Sequence, residues 1–96
     1  MAFIRCGTVA HTGAQTKTGS LTMTTGVNTI NCGFKPKYIA IYNGKLRGSI
    51  YDADYSTTAI TWMNGASSVS SINMSSVTNS NVYAIKSVTD TGFTVI

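Results

Sequence analysis

The chain has 96 residues, a net charge of +4, and charged side chains at only 10% of its positions. That length makes one domain, residues 1–96. It buries about two thirds of the surface its unfolded form exposes, so its core is thin and association between copies is an expected source of stability. A hydrophobic content of 43% excludes disorder. No apolar run approaches the roughly twenty residues of a membrane span, and Ser, Thr, Asn and Gly abound where exposed helices would need charge.

Met1 to Cys6 lacks the basic-then-apolar order of a secretion signal, so synthesis in the cytoplasm is expected. Residues 2 to 10 are the first predicted strand. Ile4, Cys6 and Thr8 share one face and Phe3, Arg5 and Val9 lie on or near the other. Neither face is cleanly polar, which predicts that both meet protein. His11 to Ser20 reads as a loop, and His11, the one histidine, is expected to be exposed there. Leu21 and Met23 alternate with Ser20, Thr22 and Thr24, the period of a half-buried strand. Val27 to Cys32 resumes it after Gly26, which predicts a first hairpin through that glycine. In the cytoplasm Cys6 and Cys32 read as buried thiols, with a bridge open to them in an oxidising medium.

Gly33 to Tyr51 is the organising stretch. Pro36 holds Lys35 extended and delivers the chain into Tyr38-Ile39-Ala40-Ile41-Tyr42, a predicted central strand. Asn43-Gly44 favours a type I′ turn and a hairpin with Leu46 to Tyr51. Thr57 to Met63 is a further strand closed at Asn64-Gly65. Asn64 to Asn81 reads as surface loop with a short strand at Ile72 and Met74. Val82 to Val88 and Phe93 to Ile96 end the chain as strands. Seven or eight strands and no helix predict an all-β, antiparallel β-sandwich or jelly-roll-like domain.

The inventory for catalysis is poor, and no enzyme is expected. Asp52 and Asp54 are the one close acidic pair, and turn formation suits them better than calcium, which takes six to eight oxygens. No cofactor or metal is expected. Two binding sets stand out. Lys35, Lys37, Lys45 and Arg47 flank one hairpin and form either an anion-binding patch or the lysine guard of a sheet edge. Trp62, Tyr51 and Tyr55 are candidates for stacking on sugar rings, or else core or interface residues.

The "CGFKPKYIAIYNG" and "SVTDTGFTVI" segments together resemble a small β-sandwich domain of bacteriophage and prophage virion proteins. Gly33, Phe34 and Pro36 carry the first motif, and Asp90, Gly92, Phe93 and Thr94 the second. The two bracket residues 32 to 96. The resemblance implies a non-enzymatic structural or adhesive role in a tail-fibre tip, baseplate or capsid decoration. It implies localisation in the virion, homotrimeric assembly, contacts with other virion proteins, and host attachment through a surface glycan. A chain of one domain beginning at Met1 argues against a fibre shaft. A carbohydrate-binding module and a small anion-binding or nucleic-acid-binding protein are the alternatives.

Overall fold

The computed structural model describes residues 2–7, 16–22, 24–43, 47–64 and 69–96. It is an all-β sandwich. The strands are β1 (Ala2–Gly7), β2 (Thr16–Leu21), β3 (Asn28–Asn31), β4 (Tyr38–Tyr42), β5 (Arg47–Asp52), β6 (Ala59–Asn64), β7 (Val69–Asn73), β8 (Ile85–Val88) and β9 (Gly92–Val95). One 3-10 turn, Met74–Ser76, follows β7. A six-stranded sheet in the order β2-β1-β4-β5-β6-β7 faces a three-stranded sheet in the order β3-β9-β8, and every pairing is antiparallel. The continuous β4-β5-β6-β7 meander makes this a sandwich rather than the paired Greek keys of a jelly roll.

The inner faces follow from alternation. Ile4 and Cys6 of β1 lie opposite Ile41 and Ile39 of β4, and Ile39 lies opposite Tyr51 of β5. From the smaller sheet Ile30, Ile85, Phe93 and Val95 meet them, and all are buried. Burying each such aliphatic or aromatic side chain contributes about 1.5–3 kcal/mol, which makes this layer the main source of stability.

Polar contacts set how one sheet sits on the other. Ser49, on the core side of β5 and fully buried, donates to the Tyr83 carbonyl at 2.7 Å and accepts from the Ile85 amide at 3.1 Å. Its hydroxyl thereby stands in for a strand partner at the entrance to β8. Tyr83 sits at a φ of 64°, and its hydroxyl takes the Asn43 side-chain amide. At the other side Lys17 of β2 reaches the Asn31 carbonyl at 2.8 Å, and Cys6 and Cys32 are joined in a disulfide. β3 therefore lies over β1 and β2, and β8 over β5.

Several expectations change. Thr16 to Ser20, expected as loop, pairs with β1 along its length, because an edge strand needs backbone partners more than an apolar face. No hairpin forms through Gly26: β2 and β3 belong to different sheets, and the segment between them is a crossover tied by Asn28. That side chain accepts from the Thr24 amide and hydroxyl and donates to the Thr24 and Gly26 carbonyls. The β4–β5 hairpin forms, with Tyr42 opposite Gly48, while the turn expected at Asn43-Gly44 falls on Gly44, outside the described residues. Likewise Met63 pairs with Val69, so β7 occupies part of the expected loop. The buried-thiol reading of Cys6 and Cys32 gives way to the disulfide, because the sandwich sets the two residues face to face across the core. The Gly33 and Pro36 entry to β4 and the Gly92 start of β9 stand where the sequence puts them.

Two substitutions test this packing. Closing a 26-residue separation, the disulfide stabilises by about 3.5 kcal/mol in the chain-entropy account, so Cys32→Ser should lower the unfolding free energy in urea by about that amount. A Cβ on Gly48 would lie 1.9 Å from the Ile41 carbonyl oxygen, at a φ of 153°, whereas one on Gly19 would meet nothing within 4 Å. Gly48→Ala should therefore cost about 3 kcal/mol and Gly19→Ala less than about 0.5, read from the same urea midpoints.

Candidate functional site

The two residue sets singled out from sequence do not survive as sets. Tyr51 is a core residue of β5. Tyr55 stands 72% exposed in the turn after β5, and Trp62 is half-buried on the core side of β6, its Nε1 donating to the Val82 carbonyl at 2.9 Å. Three rings in three environments make no stacking platform, which corrects the sugar-binding expectation for Trp62, Tyr51 and Tyr55. The basic set divides too. Lys35 and Lys37 precede β4, while Arg47 begins β5 at the far end of the hairpin, about 17 Å along the strands. Lys45, like His11, lies outside the described residues. The edge-guard reading also fails, because β4 and β5 are central strands and the edges of the large sheet are β2 and β7.

Asp52 and Asp54 build a turn. Asp52 Oδ1 accepts the Asp54 amide at 3.0 Å, and the Asp52 carbonyl accepts the amides of Tyr55 and Ser56. Among the described residues, no three of His, Cys, Asp or Glu come together.

What the fold does assemble is an outer sheet face. By alternation Arg5, Tyr38, Ala40, Tyr42, Ile50, Asp52, Thr61, Met63 and Val69 point away from the smaller sheet. The sheet is about 24 Å across its six strands and about 17 Å along them. Tyr42 and Val69 are exposed, and Ile50 and Met63 are half-buried. Among the described residues its ionic groups are one cation, Arg5, and one carboxylate, Asp52. The described lysines and Arg47 fall elsewhere, so the face carries balanced charge; its middle, on β4, β5 and β6, is largely apolar, with Tyr38 and Ala40 already buried, while Thr18 and Ser20 of β2 and Ser71 and Asn73 of β7 make its margins polar. Period-two alternation in β4 and β5 was the legible signal: Tyr38, Ala40, Tyr42 and Ile50 leave no polar side.

The structure also brings together residues from both expected sets. Lys35, Lys37 and Tyr51 border a cavity of about 400 Å³ at one end of the sandwich, with Pro36, Ala53, Thr57, Met74 and Val88. Lys35 is 4.0 Å from Asp90, and both are exposed.

Comparison with family models, with curated proteins and with solved structures found no match for this chain. No helix among the described residues is long and apolar enough to cross a membrane.

Burial raises the Tyr51 hydroxyl above its ordinary value of 10.0, with the Asp52 charge adding to it; Tyr38 is raised first by burial and then by Tyr42, with Arg5 opposing. Both phenols are therefore held protonated in the fold beyond the point where they ionise in the unfolded chain. Their contribution to stability is complete below pH 10 and is lost as pH rises through the raised values. Unfolding free energy should fall on the alkaline side of pH 10, and Tyr51→Phe should flatten that fall; urea unfolding at stepped alkaline pH measures both.

Proposed function

We propose that this domain is a non-enzymatic structural protein of the phage-virion kind, a tail-fibre tip, baseplate or decoration component that assembles with copies of itself through the outer face of its large sheet. The observation that supports the reading is that face. Large apolar side chains left exposed side by side on a small protein favour an interaction site, and Tyr42 and Val69 stand exposed here beside half-buried Ile50 and Met63, on a face without the excess cations found over the rest of the chain. Further copies of the same chain suit it: apolar rows can meet around a shared axis, and Arg5 and Asp52 give each copy one charge of either sign, so that unlike charges can face each other between neighbours. Three such faces turned to a common axis would enclose one core, the arrangement that the resemblance to trimeric virion domains implies. The described residues also concentrate Ser, Thr and Asn in exposed segments, as a particle surface in contact with solvent and host requires.

The expected result is a trimer by light scattering at micromolar concentration. Tyr42→Glu combined with Val69→Glu, both at exposed positions, should release a folded monomer of 10.1 kDa with unchanged circular dichroism. A wild-type monomer would overturn self-assembly, and a dimer would overturn the threefold arrangement. Mass spectrometry of purified particles checks the virion assignment: the chain should copurify with capsid and tail proteins, and its confinement to the soluble lysate would refute it.

A further inference from the structure

The cavity at the end of the sandwich is independent of the outer face. Its walls come from distant parts of the chain: the Lys35 to Lys37 entry to β4, the turn after β5, Met74 of the 3-10 turn, and Val88 at the end of β8. Pro36, Ala53, Met74, Val88 and the Tyr51 ring make its interior predominantly apolar, and the volume of about 400 Å³ lies in the range of small-ligand pockets, roughly 300–1,000 Å³. Its polar groups are the Lys35 and Lys37 ammonium groups, the Thr57 hydroxyl and the Tyr51 hydroxyl. Lys35 and Lys37 border it at solvent-exposed positions, and among the described residues no carboxylate lines it. Among the described residues the Tyr51 hydroxyl has no hydrogen-bond partner, yet no buried polar side-chain atom there is left without one. Its oxygen therefore keeps access to the cavity although the residue is only 5% exposed.

We propose that this end of the sandwich binds a small amphipathic carboxylate, its hydrocarbon body in the cavity and its anionic head between Lys35 and Lys37, within reach of the Tyr51 hydroxyl. An open apolar pocket gains by exchanging water for hydrocarbon, and two ammonium groups on its border favour a ligand whose far end is an anion. The phenol, held neutral by burial, is a donor for that head group. Asp90 competes for Lys35 through an exposed pair, which a ligand carboxylate can displace because such pairs are weak. Asp52 and Asp54 are the other nearby acids. Asp52 has one oxygen engaged by the Asp54 amide, and neither carboxylate lines the cavity.

The test is an NMR titration of the whole chain with sodium octanoate, kept well below micelle formation, beside 1-octanol and inorganic phosphate. Octanoate should give saturable shifts at Lys37, Ala53 and Val88. Lys35→Gln with Lys37→Gln, both at solvent-exposed positions, should weaken binding by about tenfold or more. Asp90→Asn should strengthen it by freeing Lys35, and Met74→Trp should abolish it by filling the cavity with both lysines in place. Octanol binding as tightly as octanoate would remove the anionic head from the proposal. Phosphate binding as tightly would remove the apolar body. Shifts confined to the outer sheet face, or an unchanged affinity in the lysine variant or in a folded Met74→Trp variant, would overturn it altogether.

Discussion

The unequal closure of the sandwich governs the rest of the molecule. Three strands lie on six, and the inner layer they enclose around Phe93, Ile39, Ile41, Ile60, Ile85 and Val95 is continuous and fully buried. A sheet of that breadth has two faces, however, and the smaller sheet can serve only one. The strands nevertheless carry apolar residues at positions of both parities, because β4 is enclosed on each side by other strands and reads as a nearly unbroken run. Tyr42 and Val69 stay exposed on that outer face and Ile50 and Met63 half-buried, and this is the observation on which the self-assembly proposal rests.

The same imbalance explains the polar contacts between the layers. Apolar packing is non-directional and would tolerate sliding of one sheet over the other. Ser49 removes that freedom at one side, since a buried hydroxyl bonded to the Tyr83 carbonyl and the Ile85 amide loses both bonds if the layers shift. The Cys6–Cys32 disulfide and Lys17 hold the opposite side. The cavity opens at the end of the sandwich where β4 begins and where β5 and β8 finish.

Cysteine and asparagine show how local identity and distant partner divide the information. Asn28 organises its own crossover with four hydrogen bonds to residues within four positions, so the Thr24-Thr25-Gly26-Val27-Asn28 string held the signal, although the period-two pattern around it suggested a hairpin. Cys6 and Cys32 carried no such signal. Their pairing depends on two strands in different sheets being laid across one another, and no local propensity encodes that.

By itself the sequence determined the all-β class, the central β4 strand with its Gly33 and Pro36 entry, and the Gly92 opening of the last strand, because alternation, β-branching and turn residues act within a few positions of one another. Only the tertiary structure decided which strands share a sheet, that Thr16 to Ser20 forms an edge, that Arg47 lies far from Lys35 and Lys37, and that Tyr51 joins those lysines around a cavity. Strand partners, register and layer stacking are set by contacts between residues far apart in the chain, and their energies appear only when the whole core closes.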